Sequence, residues 1–190
     1  MLKTRLISTA AALALSALPA LSASYTVDPA HSFIQFSTIH LGYSKLPGQF
    51  NKFSGKLEYD PEKGPESQKI SITIDTTSID TNHADRDKHL RSDDFFKTGS
   101  MSVAKFESTK FEGDANGGTL TGDLTLLGVT KEISFPIKKI GEGPDPWGGY
   151  RVGFEGEYLL TRKDFGMDFQ LGPAAENVDV KLMIEAIKDK

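Results

Sequence analysis

Four histidines and no cysteine set the limits of the chemistry this 190-residue chain can do. Two of them, His83 and His89, fall in one charged stretch, Asp80 to Phe96, that interrupts a strand-like rhythm and ends in the pair Phe95-Phe96. His83 and Asp87 stand one helical turn apart, so on a helix they share a face and offer two ligands to a divalent ion, with His31 or His40 as a third. Two residues do not make a site, and neither an HExxH pattern nor a second carboxylate-histidine pair accompanies them. The expectation is therefore no metal and no cofactor. Asp164-Phe165-Gly166 imitates the magnesium motif of kinases, but no Gly-rich phosphate loop or catalytic-loop motif goes with it, and it reads as a turn with an aromatic anchor. There is no GxSxG elbow for a serine hydrolase. The lack of cysteine removes thiol nucleophiles, cysteine metal sites and disulfides. His31, at a bend after Pro29-Ala30, and His40, at the end of an apolar face, read as hydrogen-bonded structural histidines. No catalytic residue is assigned, and the chain is expected not to be an enzyme.

The charged stretch itself looks like a pair of short helical turns. Thr81 or Asn82 can cap the first, with Asp85 and Asp87 near its positive end and Lys88, His89 and Arg91 toward its negative end. Ser92 reads as a second cap that puts Asp93 and Asp94 in the first turn of another short helix. Leu90, Phe95 and Phe96 are the parts able to enter a core, so the segment reads as a cover whose charges face water.

Most of the remaining chain alternates. Ile34, Phe36, Thr38 and His40 oppose Gln35, Ser37 and Ile39; Ile70, Ile72 and Ile74 oppose Ser71, Thr73 and Asp75; Ile133, Phe135 and Ile137 oppose Glu132, Ser134 and Lys138. Turn signals at Gly42, Pro47-Gly48, Asp60-Pro61, Asn116-Gly117-Gly118, Gly128, Gly141 to Gly149 and Gly172-Pro173 separate the runs. The result is about eight strands: 24–40, 48–59, 69–78, 103–111, 119–127, 131–140, 151–162 and 178–187. One apolar face per strand implies a closed antiparallel barrel or a sandwich. A barrel of this size is either filled by its own side chains or just wide enough for one small ligand. The single polar face is rich in charge and the strands lack aromatic girdles, which argues against a membrane-spanning barrel.

Lys3 and Arg5, an apolar run from Leu6 to Leu15, Pro19 and the small-residue exit Ala20-Leu21-Ser22 have the layout of a secretory signal peptide. It is expected to span residues 1–22, with cleavage after Ser22 or Ala23, which leaves a single domain over residues 23–190 in the periplasm. The run is too short to cross a bilayer comfortably. The formal net charge is -4, and losing Lys3 and Arg5 makes it more negative, which argues against nucleic acid or an anionic membrane surface as a partner.

Several ordered matches carry a resemblance across the whole mature chain: Tyr25-x-x-Asp28 with His31, Phe36-x-x-x-His40-Leu41-Gly42-Tyr43-Ser44, the Asn82 to Phe96 block, Gly122-Asp123-Leu124-Thr125 with Gly128-Val129-Thr130-Lys131, Asp145-Pro146-Trp147-Gly148, and Asp164-Phe165-Gly166. On these the chain resembles the YceI family of periplasmic lipid-binding proteins. Two departures stand out: Ser100-Met101-Ser102-Val103 replaces a common Lys-x-Pro before a strand, and Thr38 stands where an aliphatic residue is usual, placing a polar group on the presumed cavity face. The resemblance implies an all-β, eight-stranded antiparallel lipocalin-like barrel with a short helical segment around residues 82–96, enclosing a long apolar pocket for a polyisoprenoid or similar lipid.

If that pocket exists, the strand residues expected to line it are Ile34, Phe36, Phe50, Ile72, Ile74, Phe106, Leu124, Leu126, Ile133, Phe135, Ile137, Phe154, Val180 and Leu182. To these are added His40, the cover residues Leu90, Phe95 and Phe96, and Trp147, whose loop either plugs one barrel end or closes over a ligand. The leading expectation is a periplasmic binding or carrier protein for an isoprenoid or other long-chain lipid, with a homodimer kept as an oligomeric option. The rivals are an enzyme acting on a lipid through His40, His83 or Asp87, and a structural or stress-protective protein with a filled barrel.

Overall fold

The computed structural model describes residues 23–60 and 68–190. The expected signal peptide, and the far side of the turn expected at Asp60-Pro61, lie outside them. The strands are β1 (Ala23–Val27), β2 (Phe33–His40), β3 (Ser44–Phe50), β4 (Phe53–Tyr59), β5 (Lys69–Asp75), β6 (Ile79–Asp80), β7 (Val103–Asp114), β8 (Gly117–Leu126), β9 (Val129–Pro144), β10 (Tyr150–Thr161) and β11 (Asn177–Lys188), with one helix, α1 (Ala84–Leu90). The ring runs β1-β4-β5-β7-β8-β9-β10-β11 and closes by pairing β11 back onto β1, Tyr25 opposite Lys188 and Val27 opposite Ala186. All the pairings are antiparallel, so the closed eight-stranded barrel has no free edge along its main wall.

The three remaining strands continue members of the ring. The strand expected over 24–40 is broken at residues 28–32, where the Asp28 carboxylate accepts the Ala30 N–H (3.0 Å) and the Asp28 carbonyl that of His31 (3.2 Å). Its second half, β2, then pairs with β11 farther along, Phe36 opposite Val180. The strand expected over 48–59 starts earlier, at Ser44, and breaks between Phe50 and Phe53. The one expected over 69–78 yields to a 3-10 turn at Thr76–Ser78, held by Asp75 accepting the Thr77 N–H, before β6 pairs with β3. The barrel is thereby prolonged into a taller flap on the side that carries the charged segment.

Alternation alone misplaces residues where the ladder slips. In β7 the register shifts between Ser108 and Lys110, so Phe106 opposite Leu124 and Phe111 opposite Leu120 are both buried although they differ in parity. A second shift near Gly153-Phe154 leaves Ile140 62% exposed while Val152 and Phe154 pack inside. The outward face carries ion pairs such as Lys105–Glu107 (2.6 Å) and Lys110–Glu112 (2.8 Å), the opposite of an apolar lipid-facing band.

Candidate functional site

Following the strand directions, residues 81–102, the β2–β3 turn and residues 162–176 gather at one end of the barrel, and the β9–β10 loop lies at the other. The first of these ends is the mouth. Its cover is fastened by the charges of the Asp80 to Phe96 stretch. The Asp87 carboxylate, buried, accepts both the N–H (2.9 Å) and the hydroxyl (2.5 Å) of Thr81. Arg86 donates to the Thr81 hydroxyl (2.7 Å) and carbonyl (2.6 Å), and Arg91 to the carbonyls of Thr77 and Ile79, both at 2.8 Å. Asp87 and Arg86 are thus bonded within the cover and Arg91 to the Thr77–Ile79 backbone, which corrects the expectation of solvated charges for these three, while Asp85, Lys88, Asp93 and Asp94 do face water. The α1 cap is also different: His83, not Thr81 or Asn82, is the N-cap, its Nδ1 accepting the Arg86 N–H at 3.3 Å. Ser92 does not open a second helix; its carbonyl accepts the Phe95 and Lys97 N–H groups in a run of turns. Asp80 accepts the Asn82 N–H (2.8 Å) and Asn51 Nδ2–H (3.2 Å), and these bonds, the backbone one first, hold its carboxyl below the usual range.

From this frame the cover sends three side chains inward. Phe96 meets Phe50 edge-on (centroids 5.5 Å), and Phe50 meets Phe36 (5.6 Å). Phe95, 4% exposed, packs with His89 (5.1 Å) and with Phe169 (5.2 Å), which joins the cover to the 162–176 loop. Gly48 makes the approach possible, since a Cβ there would overlap the Phe36 ring and the Thr81 methyl.

Beneath the cover lies a cavity of about 230 Å³ with an almost wholly apolar wall. Of the residues expected to line a pocket, Ile34, Phe36, Phe50, Ile72, Ile74, Phe106, Leu124, Leu126, Ile133, Phe135, Ile137, Phe154, Val180 and Leu182 from the strands and Leu90, Phe95 and Phe96 from the cover lie on this wall. His40 and Trp147 do not. His40 is exposed, because the β2–β3 hairpin has by then left the barrel. Trp147 is 79% exposed at the other end, under the Arg151 guanidinium (5.6 Å to the ring), and neither plugs the barrel nor reaches the cavity. Thr38 does line the cavity, with its hydroxyl donating to the Asn177 carbonyl (3.4 Å). Also on the wall, though not among the residues expected there, are Ile70, Val178 and Ile184, which share the apolar faces of their strands, Leu57, Tyr158 and Leu160 on other strands, Arg162 just past the end of β10, and Met167 and Leu171 in a loop with no period to read.

The volume bears on what fits. Pockets for drug-sized ligands hold about 300–1,000 Å³, so this cavity, at about 230 Å³, is smaller than the long pocket expected.

The His83–Asp87 pair is not joined by His31 or His40. His83 and Asp87 are engaged in the bonds above, while His31 bonds Asp28 (2.8 Å). Asp28, His31 and Glu185 bring ligand atoms within 4.8 Å of one another, but Arg151 already occupies the group, donating to Asp28 (2.8 Å), Glu185 (2.5 Å) and, through Nε, Asp145 (2.9 Å). The Arg151 guanidinium, then His31, hold the Asp28 carboxyl at about 2. Asp164-Phe165-Gly166 closes a 3-10 turn with Gly166 at φ 77° and Phe165 2% exposed, an aromatic anchor.

A barrel closed between its first and last strands, with a short helical cover over an apolar cavity, matches one family model, the YceI-like domain, over residues 25–186. The chain belongs to that family. Protein YceI of Escherichia coli is 47% identical over 192 residues, covering 100% of both chains. Among solved structures, BcnA of Burkholderia cenocepacia superimposes with a TM-score of 0.73 at 23% identity, over 84% of this chain and 98% of that one. A polyisoprenoid binding domain from Saccharophagus degradans gives 0.66 at 18% identity, over 90% and 100%. Both show the same fold.

Proposed function

We propose that this YceI-like protein binds the hydrocarbon chain of an isoprenoid or similar single-chain lipid inside the barrel and carries it through the periplasm. The observation that carries this reading is the cavity: a nearly all-apolar void, walled by inward aliphatic and aromatic side chains and roofed by a docked segment. A wall this largely apolar contributes about 0.8 kcal/mol per methylene buried. Four or five methylenes' worth of branched chain therefore supply roughly 3 to 4 kcal/mol before ordering costs. The Saccharophagus degradans domain, a polyisoprenoid binder of the same fold, supports the ligand class. Residues 1–22, with their basic start, apolar run and small-residue exit, support export.

The test is titration of solvent-extracted protein with prenols of increasing length, beside the variant Leu124→Trp, which places an indole in the cavity. Binding that strengthens with chain length and then levels off, and that weakens in Leu124→Trp, is expected. Equal affinity in both proteins would place the lipid elsewhere.

A further inference from the structure

The cavity is apolar except at one end, and the exceptions have a direction. Its two charged liners are Glu155 and Arg162. The Glu155 carboxylate turns out to Lys138 (3.8 Å) and is no part of the interior. Arg162 is different. It is 6% exposed, the one buried cation among the described residues. Its guanidinium donates to three backbone carbonyls, those of Ala175 (2.7 Å), Met167 (2.8 Å) and Phe169 (3.1 Å). No carboxylate among the described residues forms an ion pair with it. Glu176 turns to Lys163 (3.5 Å), and Glu176 and Asp168 act on Arg162 only from beyond bonding distance.

Elsewhere this fold neutralises its enclosed cations directly. Lys139, toward the other end of the barrel, pairs with Glu142 (2.9 Å) and donates to the Tyr59 hydroxyl (3.3 Å), and Arg151 has three carboxylates. A buried charge without a counter-charge is costly, and a guanidinium carries roughly five N–H donors, more than three carbonyls use.

Two neutral hydroxyls accompany it on the same wall, of which that of Thr38 is already donated to the Asn177 carbonyl. Tyr158 stands four residues before Arg162 and lines the cavity, and its hydroxyl makes no hydrogen bond among the described residues; burial raises its pKa, so it is a protonated donor. Thr38 lies across β11 from this end of β10, with Phe36 opposite Val180 and Val180 opposite Tyr158. Arg162, Tyr158 and Thr38 are thus all at the mouth end, and the wall toward the other end is hydrocarbon.

We propose that the cavity takes its lipid tail first and holds at the mouth an oxyanionic headgroup, a carboxylate or a phosphate monoester, with Arg162 as its counter-charge and Tyr158 as a second donor. This rests on the lipid-binding reading of the same cavity and narrows its ligand to anionic amphiphiles. The bonds to Ala175, Met167 and Phe169 fix the guanidinium while tying down the loop that meets the cover through Phe169, so headgroup binding and closure of the mouth are one event.

The experiment is calorimetric titration of the solvent-extracted full chain with two matched pairs, hexadecanoate against hexadecanol and geranylgeranyl phosphate against geranylgeraniol. At least one anion binds about tenfold or more tighter than its alcohol, as one charge-assisted hydrogen bond implies, and the pair that shows it tells carboxylate from phosphate. Arg162→Lys keeps most of the preference, Arg162→Met brings the ratio near one, and Tyr158→Phe reduces it. If Arg162→Met does not fold, the wild-type ratios and the other two variants decide. Alcohols that bind as well as anions in both pairs overturn the headgroup assignment and leave lipid binding standing. No binding by any of the four overturns both.

Discussion

Phe96 is where the cover can be loosened without dismantling the barrel. It is half-buried, lines the cavity and touches Phe50 edge-on at 5.5 Å. A fully buried phenylalanine removes about 150–250 Å² from water, so Phe96→Ala gives up on the order of 100 Å², worth about 2 kcal/mol. If opening of the cover limits lipid release, that loss lowers the opening barrier and raises the off-rate about 30-fold, at 1.4 kcal/mol per factor of ten. The on-rate should rise with it, because the same barrier stands in both directions; a mere loss of lipid contact would raise the off-rate alone. Val152→Ala is the control. Val152 is 1% exposed, does not line the cavity, and its truncation costs about 2 kcal/mol of stability as well. Stopped-flow exchange of a fluorescent lipid reads both rates. An unchanged off-rate in Phe96→Ala, or an equal rise in Val152→Ala, would refute the cover as a gate.

Three further outcomes follow from the structure. Asp87→Ala strips the buried Thr81 N–H and hydroxyl of their acceptor and should cost about 1–3 kcal/mol in urea unfolding, without any change in bound metal. The Asp28 carboxyl is depressed from 3.8 to about 2, so its stabilising charge is fully present above pH 3.8 and is lost as pH falls through about 2; thermal melts over that range should show the loss in the wild type and a flatter profile in Asp28→Asn. Trp147 is the chain's one tryptophan and sits at the end remote from the mouth, so its emission should stay that of an exposed indole on lipid addition, and Trp147→Ala should shift stability by no more than about 0.5 kcal/mol.

The eight-stranded barrel was legible because period-two alternation reports directly which face is buried, and each strand had one. The breaks were not. Pro29-Ala30 signalled a bend before His31, but neither it nor the spacing of Asn51-Lys52 tells that the strand breaks there to change partner, since that depends on closure of the ring. For the same reason Phe111 and Ile140 fall on unexpected sides of their register shifts. Inward strand residues such as Ile72 or Phe135 could be placed because parity suffices for them. His40 could not, because parity persists into a hairpin after the barrel wall has ended. Arg162 was the hardest to see: a cation at the end of a strand reads as solvated until the carbonyls of a non-repetitive loop fold around it. Asp87, Arg86 and Arg91 misled likewise, since composition does not tell a charge in water from one bonded to a nearby turn's hydroxyl or backbone.

That the cavity is a lipid site is tested most directly by native mass spectrometry of the protein purified from the cells that make it, before and after solvent extraction. A mass excess corresponding to one lipid chain per barrel, lost on extraction and restored by an added isoprenoid, is expected. A chain that carries no lipid as isolated, and takes up none afterwards, would contradict it.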